Sequence, residues 1–211
     1  MKRLDCLEIL APQIKDQLVV LTLGVTREEW LMVKTENTNP CVNVGMGIPT
    51  PFGLGLALAL PQRKVVVLDS DGSFLFSLNT LATLAVQKPK NLLIIIFDNE
   101  CYESVGGAPS HTAAGVDLAA MAKAAGITDA TTVKDLESFR KAVQEGLNQN
   151  ALCLIVAKIE VWIADVPARY NDAIEMRNNF VRYIEETENI SVLRRSKYQR
   201  RDPAAWRPGE K

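Results

Sequence analysis

The stretch KVVVLDSDGSFLFSLNTLATLAVQKPKNLLIIIF, residues 64–97, decides the fold. It begins and ends with runs that are apolar on consecutive residues, at 65–68 and 92–97, rather than on alternate ones. Runs of that kind read as strands covered on both faces, as in a parallel sheet. Between them, SLNTLATLAVQ at 77–87 repeats its apolar residues at helical intervals.

Working outward, QLVVLTL (17–23) and ALCLIVAK (151–158) are further apolar runs of this type, with a weaker one at ATTV (130–133). Helix-period segments separate them: LDCLEILAPQI, REEWLMVK, DLAAMAKAAG and DLESFRKAVQEGLN. The last opens on Asp135 with Glu137 in its first turn. This alternation predicts an open, mostly parallel α/β sheet with helices on both faces, over residues 1–165. Residues 166–211 read as a helical and basic C-terminal extension. Within it, ARYNDAIEMRNNFVRYIEE could form an amphipathic helix with Tyr170, Ile174, Val181 and Ile184 on one side. The tail VLRRSKYQRRDPAAWRPGEK suits either a surface end or a subunit-docking arm.

The chain has 211 residues, 47% of them apolar, and a formal net charge of −1. That supports one sizeable core and gives no field to gather nucleic acid or an anionic membrane. Cys6, Cys41, Cys101 and Cys153 are scattered, which fits reduced thiols rather than a zinc knuckle or a disulfide framework. Acidic residues interrupt the opening MKRLDCLEIL, and the longest apolar runs are too short to span a bilayer. A soluble cytoplasmic protein is expected.

Open α/β sheets bind ligands beyond the carboxyl ends of their strands, so the packets GVTREE, SDGS and DNECYES carry the interest. GMGIPT and GLGLAL lack the third glycine of a dinucleotide fingerprint, and no phosphate loop of the GxxxxGK[ST] type occurs. Asp71 and Asn99, each just past a strand, could converge their oxygens on a hard cation such as Mg²⁺. Gly72 and Ser73 could then offer N–H groups to a phosphate. Alone, Asp71-Gly72 also reads as an ordinary turn.

The stretch SDGSFLFSLNTLATLAVQKPKNLLIIIFDNECY resembles the signature of thiamine diphosphate enzymes: Gly-Asp-Gly, slightly under thirty residues, then Asn-Asn. Upstream, NVGMGIPTPFGLGLALALPQRKVVVLD is similar to the family's glycine-flanked apolar residue, alanine-rich helix and P-x-R-x-V-V segment. Within the family, MKRLDCLEILAPQI, LGVTREEW and YESVGGAPSHTAAGVDLAAMAKAAGI most resemble the beta subunit of sulfopyruvate decarboxylase and the corresponding half of phosphonopyruvate decarboxylase.

The resemblance implies a thiamine diphosphate- and Mg²⁺-dependent decarboxylase subunit. It would convert a 2-oxoacid to an aldehyde and carbon dioxide, beside a separate pyrimidine-domain subunit in a hetero-oligomer. It implies that Asp71, Asn99 and the Cys101 carbonyl hold Mg²⁺, and that Gly72, Ser73 and Tyr102 belong to the cofactor seat. Met46, between Gly45 and Gly47, would wedge apart the two cofactor rings, and the Val44 carbonyl would accept from the aminopyrimidine. Thr26 would contact the diphosphate, although a helix N-cap explains it equally well. His111, the only histidine, would transfer a proton or read an anionic substrate tail, or simply sit exposed in its loop. Glu103 and Arg27 are weaker candidates. Two departures stand out: Ser70 replaces the first glycine of the signature and Asp98 its first asparagine. Other thiamine diphosphate chemistry, as in a carboligase or a 2-oxoacid oxidoreductase subunit, and a non-catalytic scaffold that lost the cofactor stay open.

Overall fold

The computed structural model describes residues 1–33, 40–166 and 172–192. Six strands form one parallel sheet: β1 (Leu18–Thr22), β2 (Cys41–Val44), β3 (Val65–Ser70), β4 (Leu92–Asp98), β7 (Ala130–Val133) and β8 (Cys153–Lys158). Their order across the sheet is β2-β1-β3-β4-β8-β7. A separate two-stranded antiparallel hairpin joins β5 (Cys101–Tyr102) to β6 (Ala108–Pro109). The central strands are buried along their whole length, which is why their sequences are continuously apolar.

Each strand feeds two cores. Val20, Val67 and Ile94 face one side, where α3 (Pro49–Ala59), α5 (Thr80–Gln87) and α6 (Leu118–Ala125) pack. Leu21, Leu68 and Ile95 face the other, against α1 (Arg3–Leu10), α2 (Val25–Val33) and α7 (Leu136–Asn148). Helix α7 starts where the sequence indicated, with the Asp135 carboxylate accepting from Ser138 N–H at 2.8 Å. Its Phe139 and Val143 lie one turn apart and both are buried.

The β5–β6 hairpin and strand β2 were not foreseen, and at Asp71–Leu75 the choice between helix and turn stood open. Strand β2 is short, four residues, and lies at the sheet edge. Helix α4 (Asp71–Leu75) begins directly at the end of β3. Helix α8 (Ala173–Glu188) is present, and its buried residues are Phe180 and Ile184, of which only Ile184 belongs to the side expected. Ile174 is exposed and Val181 only half-buried, because the helix lies along β2 with Phe180 turned into the sheet core. Tyr170 and the basic tail from 193 lie outside the described residues. No helix among the described residues is long and apolar enough to cross a membrane.

The chain runs outward from β1 to β2 and then back across β1 to β3. This reversal opens a crevice between the carboxyl ends of β1 and β3.

Candidate functional site

At the end of β3, Ser70 has an extended backbone and caps α4, its hydroxyl accepting from Ser73 N–H at 3.4 Å. This explains serine in place of glycine: it is an N-cap. It also revises the expectation for Ser73. That residue is fully buried, its N–H is directed to Ser70, and its hydroxyl accepts from Gly47 N–H at 3.0 Å.

Asp71 follows, wholly buried. Its Oδ2 accepts from the Ser110 hydroxyl at 2.5 Å and the Thr112 hydroxyl at 3.2 Å. Its Oδ1 is buried with no hydrogen-bond partner. Burial pushes the Asp71 carboxyl above the usual carboxylate range, the Ser110 bond opposes that, and the nearby Asp98 charge adds to it. One carboxylate oxygen is thus fixed while the other keeps no hydrogen bond, although the Gly72 backbone also favours the charged form, and an unmet buried charge is costly.

The end of β4 supplies the facing side. Asn99 Oδ1 accepts from Cys101 N–H at 3.2 Å, and Glu100 takes a left-handed φ of 62° that folds the chain back into β5. Asp98 does not stand free beside this turn. Its Oδ1 accepts from Thr112 at 2.7 Å, and its Oδ2 pairs with Lys158 at 2.8 Å, its register partner on β8. The acid that replaces the first asparagine is therefore matched by a lysine one strand away.

Thr26, Met46, Ser70, Gly72, Asn99, Cys101 and Tyr102 line one cleft at this crevice. Tyr102 packs so closely on Gly72 that a Cβ there would stand 2.5 Å from the ring. Asp71 lies beside this wall, between Ser70 and Gly72. Val44 ends β2 and Gly45 follows it, leading to Met46, which is 36% exposed. Thr26 is buried inside the first turn of α2, where Gly24 rather than Thr26 precedes the helix and its carbonyl accepts from Arg27 and Glu28 N–H. The N-cap explanation of Thr26 is thereby replaced. His111 is exposed at the start of a short 3-10 turn and does not line the cleft.

A set of Asp71 Oδ1, the Asn99 amide oxygen and the Cys101 carbonyl suits a hard, oxygen-seeking cation, and the free Asp71 oxygen fits it. Among the described residues no three His, Cys, Asp or Glu side chains gather to hold a metal. The thiols of Cys6 and Cys153 are pushed up to about 12 by burial.

Sequence reasoning missed several participants. Ser110 and Thr112, flanking His111, grip Asp71. Arg3, only 3% exposed, reaches the cleft and pairs with Glu29 at 2.9 Å and Glu103 at 3.1 Å. Glu29 also accepts from Ala164 N–H at 3.2 Å, while Glu103 Oε1 is buried without a partner. Polar residues at strand ends were the available signal, but their pairing is long-range.

Residues 30–157 match the family described as thiamine pyrophosphate enzyme, C-terminal TPP binding domain. The chain is 34% identical over 158 residues to sulfopyruvate decarboxylase subunit beta from Methanocaldococcus jannaschii, covering 74% of this chain and 83% of that one. To the same-named subunit from Methanococcus maripaludis it is 31% identical, covering 87% and 98%. Among solved structures, the thiamine diphosphate-dependent 4-hydroxybenzoylformate decarboxylase of Rhodococcus jostii RHA1 superposes with a TM-score of 0.63 at 20% identity. That match covers 76% of this chain and 33% of that one, so it speaks for the fold alone.

Proposed function

From this chain's membership of the thiamine pyrophosphate enzymes, whose C-terminal TPP-binding domain it carries, we propose that it is the diphosphate-binding subunit of a 2-oxoacid decarboxylase. In this reading it works with thiamine diphosphate and Mg²⁺, in a hetero-oligomer with a pyrimidine-domain subunit. The substrate is a sulfopyruvate- or phosphonopyruvate-like acid, released as an aldehyde and carbon dioxide. The observation that carries the reading is the Asp71 carboxylate at the β1/β3 crevice, one oxygen bound by Ser110 and Thr112 and the other buried and unpaired. Such an oxygen suits a cation that bridges protein and phosphate.

Thiamine diphosphate, when bound, supplies the nucleophilic carbon and the electron sink that decarboxylation of a 2-oxoacid requires. The chain's own residues bind and orient it. Asp71, the Asn99 amide and the Cys101 carbonyl would hold the Mg²⁺. Gly72, whose missing side chain leaves room for the Tyr102 ring, would present its backbone to the diphosphate, with Thr26 and Tyr102 on the flanking walls. Met46, projecting into the cleft, would support the bent cofactor, and the Gly45 backbone and Val44 carbonyl would flank the aminopyrimidine. His111, exposed near this end, would meet substrate only at the mouth.

Exposed apolar residues favour a partner over the cleft. Ile48 and Phe52, one turn apart, together with Phe76 beside Gly47, are 48%, 37% and 69% exposed at the same end of the sheet as Met46. A second subunit covering them would also exclude water from the site. The test is co-expression with a pyrimidine-domain partner, followed by an aldehyde-release screen over 2-oxoacids. Aldehyde from the complex and none from the single chain is expected. Acyloin or reduced ferredoxin as the product would favour other thiamine diphosphate chemistry, and no cofactor binding by the complex would favour the scaffold reading.

A further inference from the structure

A second polar cluster lies just below the cleft. Asp69, the last buried apolar-side residue before Ser70, is completely buried, as are Thr50 and Ser73. Its Oδ2 accepts from the Thr50 hydroxyl at 3.0 Å and its Oδ1 from Ser70 N–H at 3.0 Å. The Thr50 N–H and the Ser73 hydroxyl lie close enough to this carboxylate to favour its charged form. Two hydrogen bonds, from the Thr50 hydroxyl and Ser70 N–H, therefore hold one buried anion beside Ser73, which biases where these hydroxyls point.

The consequence reaches the cleft through Ser73. The Ser73 hydroxyl accepts from Gly47 N–H at 3.0 Å, and the Asp69 anion beside it draws the hydroxyl proton the other way. Gly47 itself needs a left-handed φ of 75°, and a side chain there would stand 2.9 Å from Phe76 Cβ. Met46 is thus carried on a turn between two glycines, with no side chain of its neighbours to brace it. Besides the turn's own bond from Ile48 N–H to the Gly45 carbonyl at 3.1 Å, its anchors are this hydrogen bond on one side and, through Thr50, the first turn of α3 on the other. An anion at 69 is what orders the Ser73 hydroxyl. An amide there could turn its NH₂ toward Ser73, reverse that hydroxyl and leave Gly47 N–H without an acceptor.

We infer that Asp69, with Thr50 and Ser73, is a positioning device that sets the Gly45–Gly47 turn, and so the Met46 side chain, against the metal and diphosphate end of the cleft. The inference rests on the proposed cofactor reading for its functional part, but its structural part stands on the single chain. It separates two tasks: Asp71, Asn99 and Cys101 hold the charged end, and Asp69 holds the support for the rings.

Two experiments test it. In the single chain, amide exchange at Gly47 should quicken by roughly fivefold to tenfold in Asp69→Asn and in Ser73→Ala, the factor one buried hydrogen bond commands. In the complex with its partner subunit, Asp69→Asn should lower kcat by about tenfold or more, with thiamine diphosphate affinity and KM changed by less than about threefold. Because Asp69→Asn could fail to fold, Thr50→Val and Thr50→Ser form a second pair. The serine variant should keep near-wild-type kcat and the valine variant should not. Unchanged Gly47 exchange in folded variants would overturn the bracket. An equal loss of cofactor affinity and kcat would overturn the division of tasks. A wild-type complex that binds no thiamine diphosphate would sink the functional reading instead, leaving the exchange result to decide the bracket.

Discussion

Replacing Gly72 by alanine places a methyl group where the Tyr102 ring now lies. An ideal Cβ would stand 2.5 Å from Tyr102 Cε1 and 2.7 Å from Cδ1. Carbon atoms pack comfortably at about 3.5–4.0 Å, so the ring must retreat by about 1 Å. Gly72 is not among the positive-φ residues, so the alanine backbone itself is unstrained and the steric effect stands alone. Relief comes either from swinging the ring off the cleft wall or from shifting β5, which carries Cys101 and follows Asn99. Forced overpacking of this kind costs about 1–3 kcal/mol. Urea denaturation of the wild type, Gly72→Ala, Tyr102→Ala and the double variant would measure it. The single Gly72 variant should lose about 1–2 kcal/mol, and the double variant should recover a coupling of about 1 kcal/mol, since removing the ring removes the clash. Calorimetry of the complex should show weaker binding of thiamine diphosphate with Mg²⁺ in Gly72→Ala. Strict additivity in the cycle, together with unchanged binding, would refute the contact and the cleft wall built on it.

Three further outcomes are expected. At pH 8 the native thiols of Cys6 and Cys153, pushed up to about 12 by burial, should react with a disulfide reagent about a thousandfold more slowly than after denaturation; fast native labelling of either would contradict their burial. Burial pushes the Asp69 carboxyl up to about 6, above its unfolded value near 4, so its contribution is full below about pH 4 and is lost as pH rises through 6. The stability of wild type relative to Asp69→Asn should therefore fall, by up to about 3 kcal/mol between pH 4 and 8, and a flat difference would refute this. Arg63 ties α8 down through Thr187 at 2.9 Å, Tyr183 at 3.2 Å, Glu188 and the Asp16 carbonyl. Arg63→Ala should cost about 1–2 kcal/mol and quicken amide exchange across α8, and unchanged exchange there would contradict the clamp.

The sheet was legible because strands β1, β3, β4 and β8 are buried on both faces and so are written as unbroken apolar runs. Strand β2, CVNV, escaped notice because an edge strand of four residues with an asparagine in it gives no such run. Helix α4 could not be told from a turn because DGSFL, five residues beginning at the strand end, is too short to show a period. On α8, Ile174 and Val181 matched a helical stripe as well as Phe180 did, and only docking along β2 separates them. At the candidate site, the resemblance pointed to Asp71, Asn99 and Met46, and the last two line the cleft. The partners of Asp71 were not: Ser110 and Thr112 lie 39 and 41 positions away and meet it only when the β5–β6 hairpin folds back. The same holds for Lys158, which neutralises Asp98 only because β8 inserts beside β4. Whether His111 enters the cleft was equally invisible, since exposure depends on which way a loop of glycine, proline and serine turns.

The claim at the centre of this account is that the free Asp71 oxygen is a metal ligand that seats the diphosphate. Titration of thiamine diphosphate into the two-subunit complex, with and without Mg²⁺, for wild type and Asp71→Ala, addresses it most directly. The account predicts saturable binding that requires the cation and weakens at least about a hundredfold in Asp71→Ala, more than the loss of an outer-sphere partner would cause. Equal affinity in the variant, or binding indifferent to Mg²⁺, would contradict it.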